Sequence, residues 1–163
     1  MATDYLDPNG DNAVGFARTG EATNWECVSK DPNRYPVAPG LATYVSDNTL
    51  AWDDYDMEDA PSDLVECTSI KLWVYYNDQL GAIYGDIYIG GWWQGASMLT
   101  VIAGYGWDSI TYNGSWTKAQ TNGLLARVLH GGGPGPVYAY QVYCEITYTA
   151  GATSGRAWGT IFG

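Results

Sequence analysis

Basic residues are scarce in this sequence: 7 Lys and Arg stand against 18 Asp and Glu, a formal charge of −11. That sign repels phosphate backbones and anionic headgroups, so neither a nucleic acid nor a membrane is an expected partner. Histidine occurs once, at His130, and the 3 cysteines, Cys27, Cys67 and Cys144, are far apart. No zinc-ligand spacing can be built from them. An odd cysteine count leaves no complete set of internal bridges. Buried free thiols are the expected state, with one internal disulfide as the alternative. No run approaches the ~18 consecutive apolar residues of a membrane-spanning helix. The opening Met1-Ala2-Thr3-Asp4-Tyr5 has neither the basic start nor the apolar core of a secretory signal.

Motifs of catalysis are equally sparse. There is no Gly-x-x-x-x-Gly-Lys phosphate loop and no Gly-x-Ser-x-Gly nucleophile elbow. His130-Gly131-Gly132-Gly133 matches an oxyanion-hole segment of some hydrolases, but without the elbow it reads as part of a loop over residues 130–136. An enzyme is the weaker class, and no cofactor is expected.

What the chain has in quantity is tryptophan and tyrosine, 8 and 14 against 2 Phe, alongside 21 Gly and 7 Pro. Such side chains suit a pleated surface packed on one side and wet on the other, and Gly and Pro supply tight connections. Alternation predicts a strand from Thr68, with Ile70, Leu72, Val74 and Tyr76 on one face. A second strand carries Ile83, Gly85, Ile87 and Ile89, and the two look like a hairpin about the turn at 77–81. Shorter strands are predicted at 42–45, 98–103, 109–112 and 124–130, with Asn113-Gly114 as a hairpin turn. Over 137–149, Tyr138, Tyr140, Val142, Cys144, Ile146 and Tyr148 are expected to share the core face. Any helix should be one or two turns. The fold class is therefore all-β, an antiparallel sandwich of jelly-roll-like form with flexible terminal arms: one domain over residues 1–149 and an extended tail over 150–163.

Three segments hold the candidate sites. The carboxylate-rich stretch from Asp47 to Glu66 reads as a solvated loop, in which Asp53, Asp54 and Asp56 are the first candidates for a calcium ion. Asp7-Pro8-Asn9-Gly10-Asp11 reads as a turn, since it lacks the later ligands of a calcium loop. Trp92 and Trp93 are adjacent, so on an extended segment at most one faces the core and the other is free for a sugar ring or a protein interface. The tail carries spaced anchors, Arg156, Trp158, Ile161 and Phe162, which gain free energy only by packing on something.

Leu6-Asp7-Pro8-Asn9-Gly10-Asp11-Asn12-Ala13-Val14-Gly15, then Trp25-Glu26, then Ala42-Thr43-Tyr44-Val45-Ser46, and the strands at 70–76 and 137–149, resemble a family of small β-sandwich structural proteins of tailed phages and prophages. The resemblance implies a virion component, a capsid decoration or tail-associated protein without catalytic residues, docking on other structural subunits and as a homo-oligomer. Two alternatives follow from the residues themselves: a carbohydrate- or receptor-binding module with a glycan partner, or a subunit of an extracellular filament. On the first reading, deleting residues 151–163 should weaken assembly while leaving the domain folded; unchanged particle binding by the truncated protein would count against it.

Overall fold

The computed structural model describes residues 1–29, 37–47, 49–79, 81–100 and 104–151. Within them the chain forms two antiparallel sheets packed face to face, the jelly-roll-like sandwich expected from the alternation. The first sheet runs β10 (Tyr105–Thr117), β6 (Leu64–Asn77), β12 (Val137–Ala150), β4 (Tyr44–Asp47) and β3 (Ala17–Thr19), with β1 (Ala2–Leu6) also paired to β12. The second runs β2 (Pro8–Ala13), β5 (Trp52–Met57), β11 (Leu125–Gly132), β7 (Ala82–Ile89) and β8 (Trp92–Trp93), with β9 (Ser97–Met98) also on β7. Helices are short: α1 (Asn24–Ser29) and α2 (Lys118–Thr121).

The core follows from period-two alternation on the long strands. Ile70, Leu72, Val74 and Tyr76 of β6 face Ile83, Ile87 and Ile89 of β7, and all are buried. Ala126 and Val128 of β11 and Tyr55 and Met57 of β5 complete the facing layer. Cys27, Cys67 and Cys144 are free thiols within this core. Burial pushes the Cys144 and Cys67 thiols up, so both stay protonated and unreactive at neutral pH.

The tertiary structure departs from the sequence reading at several points. β6 and β7 are not a hairpin: the chain crosses between sheets after Asn77, so β6 pairs with β10 and β12 while β7 pairs with β11. Both strands need their apolar face buried, and placing them in opposite layers lets each cover the other. Asn113-Gly114 is no hairpin turn either; β10 runs straight through it, with a bulge before Trp116. The Trp116 ring lies over Gly114, where a Cβ would sit 2.5 Å from it. On β12 a bulge between Ala139 and Gln141 shifts the phase. Val137 and Ala139 face the core together with Val142, Cys144 and Ile146, and Tyr138 and Tyr140 turn to the outer face. The expected loop at 130–136 begins only after Gly132: His130 and Gly131 belong to β11, and Gly132 takes a φ of +111° at a register shift. His130 is buried with Nδ1 3.3 Å from Asp47 Oδ2.

The amino-terminal segment is not a flexible arm. Ala2–Leu6 pairs in register with β12 and Pro8–Ala13 pairs with β5, so the first strands close one edge of each sheet. Asp7-Pro8-Asn9-Gly10-Asp11 is thus the step from one sheet to the other, and Asp11 caps α1 by accepting from Asn24 N at 3.1 Å and Trp25 N at 2.7 Å. The tail anchors Arg156, Trp158, Ile161 and Phe162 lie outside the described residues.

The largest correction concerns the acidic stretch. Trp52–Met57 is a strand flanked by β2 and β11, not a solvated loop. Alternation sends Asp53, Tyr55 and Met57 inward, and Trp52, Asp54 and Asp56 outward. The inward Asp53 is fully buried. Its Oδ1 accepts from Gly15 N at 2.7 Å and Phe16 N at 2.8 Å; its Oδ2 accepts from Asn24 Nδ2 at 2.6 Å and Tyr55 Oη at 3.0 Å. Burial pushes this carboxyl up, and the hydrogen bonds offset part of that shift. Asp53→Asn keeps the size but places an NH2 against groups that donate. A loss of about 2–4 kcal/mol is expected in urea unfolding, and a loss below about 1 kcal/mol would remove Asp53 from this role.

Candidate functional site on the outer face of the second sheet

Both sheets carry aromatic rings on their outer faces, and the two faces differ in how far those rings satisfy one another. On the first sheet, Trp73 stacks on Tyr143 with centroids 6.2 Å apart. Trp107 meets Trp73, Tyr75 and Tyr143 edge to face. Tyr140 packs among Tyr44, Tyr75, Tyr105 and Tyr138. Polar ends are used as well: Trp73 Nε1 donates to Glu145 at 2.9 Å and Trp107 Nε1 to the Val37 carbonyl at 2.9 Å. Tyr143 is 1% exposed and Tyr140 6%. Here the rings are mainly one another's packing partners, most of them edge to face, with Tyr105 exposed at the margin.

The second sheet arranges its rings around a salt-bridged arginine. In register across its centre stand Asp54, Arg127 and Asp86, from β5, β11 and β7. On one side of that row lie Trp52, Leu129 and Tyr84; on the other lie Asp56, Leu125 and Tyr88, followed by Trp93 of β8. Arg127 is clamped by Asp54, Nε to Oδ1 at 2.5 Å and Nη2 to Oδ2 at 2.7 Å, a two-pronged match of planar groups. Its guanidinium carbon lies 3.7 Å from the Trp93 ring centre and 5.4 Å from that of Trp52. The result is an indole, a guanidinium and a second indole in sequence across the sheet, held by cation–π attraction and by the ion pair beneath. Trp52 remains 48% exposed.

Local sequence explains why this row forms. Gly131 has no side chain, so the Tyr84 ring folds down over it; a methyl there would overlap the ring. The turn after Ile89 uses Gly90 and Gly91 at positive φ to bring Trp93 back against Tyr88, with ring centres 5.5 Å apart. The chain then folds over Asp86, whose Oδ1 accepts from the Ile87 amide at 2.8 Å, with the amides of Gly95 and Gln94 nearby. Burial pushes the Asp86 carboxyl up; these amides and the Arg127 charge act against that shift.

The candidates named from the sequence fall in different places. Trp92 and Trp93 both lie outside the core. Trp93 joins the platform, while Trp92, 76% exposed, points the other way from the sheet edge. Asp53, Asp54 and Asp56 do not converge, since the first faces inward and the others outward. Asp53 is occupied by four donors and Asp54 by Arg127. Among the described residues, no group of His, Cys, Asp or Glu is placed to hold a metal ion. Trp52, Arg127 and Asp86 were not legible as site residues in the sequence. Trp52 opens a segment whose charge masked its alternation, and Arg127 is a cation on a strand with no marker of its partner.

No family model matches the sequence, and no curated protein matches it. Similar solved structures include the carbohydrate-binding module CBM6cm-2 from Cellvibrio mixtus lichenase 5A in complex with cellotriose, at 14% identity and TM-score 0.47, covering 91% of this chain and 99% of that one. A CBM35 from Cellvibrio japonicus Abf62 matches at 13% identity and TM-score 0.44, over 92% and 98%. The enzymatically active domain of tailspike protein 4 from bacteriophage CBA120 matches at 8% identity and TM-score 0.42, over 88% of this chain and 19% of that one. With identities and TM-scores this low, function has to be argued from this chain's own side chains.

The raised Asp86 carboxyl has a consequence for pH. An acid whose folded pKa lies above its unfolded value, 3.8 for Asp86, disfavours its own ionised form in the fold. Its contribution to stability is fullest below 3.8 and declines as the pH rises from there through the folded value. Asp47 is opposite in sign: burial alone would raise it, but hydrogen bonds from Thr49, Ala51 and His130 leave its carboxyl lowered. Its contribution is therefore lost only below 3.8, outside that window. Asp86→Asn should make the decline in urea midpoint between about pH 4 and pH 7 shallower than in the parent; identical slopes would contradict this.

Proposed function

We propose that this chain is a non-catalytic glycan-binding domain that takes neutral sugars on the outer face of its second sheet. The row of Trp52, Arg127 and Trp93 carries this reading. A pyranose offers an apolar C–H face and a rim of hydroxyls, so it is met best by a flat aromatic surface with planar hydrogen-bonding groups beside it. Trp52 supplies an exposed ring. Arg127 uses Nε and Nη2 on Asp54 and has further N–H groups to offer hydroxyls. Asp56, half-buried on the same face, is a hydrogen-bond acceptor beside it.

Charge selects among glycans. Arg127 is already neutralised by Asp54, and Asp56 and Asp86 share the face of a chain whose net charge is −11. Uronates and other anionic sugars meet repulsion there, whereas neutral polysaccharides do not. Rigidity favours binding too. Trp93 and Arg127 are held by their neighbours before a ligand arrives, so little side-chain freedom remains to be lost.

The expectation of a virion protein docking on other subunits placed its contacts at Trp92 and Trp93 and in the tail, whose anchors lie outside the described residues. Glycan attachment and a place in a larger assembly are compatible, and the platform itself speaks to the first. The test is titration calorimetry against soluble neutral oligosaccharides with the parent, Trp52→Ala and Trp93→Ala. Removing a central aromatic should cost about 2 kcal/mol, roughly 30-fold in affinity. Binding by both variants as tight as the parent's, or no binding to any oligosaccharide, would overturn the proposal.

A further inference from the structure

Beside Trp52 the outer face dips into a cavity of about 320 Å³, lined by Ala13, Val14, Gly15, Leu50, Ala51 and Trp52. It lies where β2 ends and the chain enters β5, and Trp52 forms part of both the cavity and the platform. Leu50, 72% exposed, leans across toward Gly132, at the end of the sheet where Tyr84 lies over Gly131.

The chemistry of this cavity is narrow. Among the described residues that line it, the side chains other than that of Trp52 are aliphatic or absent. Three of the backbone groups at its floor are already engaged: Gly15 N donates to Asp53 at 2.7 Å, Ala51 N donates to Asp47 at 3.1 Å, and Ala51 O accepts from His130 N at 3.0 Å. A sugar hydroxyl placed against these side chains meets few free partners, whereas a methyl group buries apolar surface there. Gly15 lies so close to the start of β5 that a Cβ on it would come within 2.5 Å of the Trp52 carbonyl, which keeps the floor shallow and backbone-lined.

From this we infer that the site prefers a sugar bearing an acetyl substituent: the ring stacks on Trp52, the acetyl methyl enters the cavity between Val14 and Leu50, and its amide or ester stays at the rim. The inference rests on the glycan-binding reading, and it adds which neutral sugar is chosen.

The experiment compares chitohexaose, cellohexaose and fully deacetylated glucosamine hexamer by titration calorimetry against the parent and Leu50→Asn. The hexamers share one backbone linkage and differ at the C2 substituent. Chitohexaose is expected to bind about tenfold more tightly than cellohexaose, since a buried methyl in an apolar pocket is worth roughly that factor. Leu50→Asn, on an exposed side chain, should remove this preference, so that chitohexaose and cellohexaose bind alike. Equal affinity of the parent for the two hexamers overturns the acetyl inference while the glycan-binding reading stands. Strongest binding of the deacetylated cation also overturns it, by assigning selectivity to charge. A preference that survives in Leu50→Asn overturns the role of the cavity, and no binding of any hexamer removes both the inference and the reading beneath it.

Discussion

An inward-facing carboxylate has to be given as many donors as water gave it, and most of one end of this molecule is arranged around that requirement at Asp53. A strand that alternates acids with Tyr and Met cannot keep every carboxylate wet. Gly15 N and Phe16 N come from the passage between β2 and β3, Asn24 from the start of α1, and the Tyr55 hydroxyl from the same strand. One buried carboxyl thereby fixes where the amino-terminal strands end and where the helix begins. Asp11 does the complementary work by capping that helix from the neighbouring strand. Such an arrangement costs desolvation, which the raised Asp53 carboxyl records, and in exchange the chain follows one defined path.

The same strand builds the binding face. Because Asp53 faces in, Trp52 and Asp54 face out, and the register with β11 sets Arg127 against Asp54. A slip of one residue would send the tryptophan into the core and leave the ion pair unmade. Fold and site are therefore coupled through a single choice of phase. The apolar cavity follows as well, since the glycine and alanines around it are those through which the chain passes close to the base of Trp52.

Two aromatic faces on one sandwich show that composition alone does not make a binding surface. On the first sheet the rings pack on one another, mostly edge to face, partly buried and hydrogen-bonded at some of their polar ends. That layer stiffens the sheet. On the second, glycines at Gly90, Gly91 and Gly131 let Trp93 and Tyr84 lie close to the sheet, and the Arg127 guanidinium lies against both Trp93 and Trp52.

By itself the sequence determined the class of fold, because alternation over 70–76, 83–89 and 137–149 can be buried only by a second layer, and abundant turn residues exclude long helices. It also determined the charge that disfavours anionic partners, and the exposure of at least one of two adjacent tryptophans. The pairing of strands was decided only in three dimensions. Whether β6 and β7 share a sheet depends on which layer covers each apolar face, and the phase of β12 depends on a bulge at Ala139 and Gln141 that no local pattern announces. The acidic segment shows the same limit most clearly: its charge reads as solvation, yet three of the four donors to Asp53 lie 29 to 38 residues away and Arg127 reaches Asp54 across 73. Contacts so distant along the chain leave no trace in local periodicity, so the site became legible only once tertiary packing had brought its parts together.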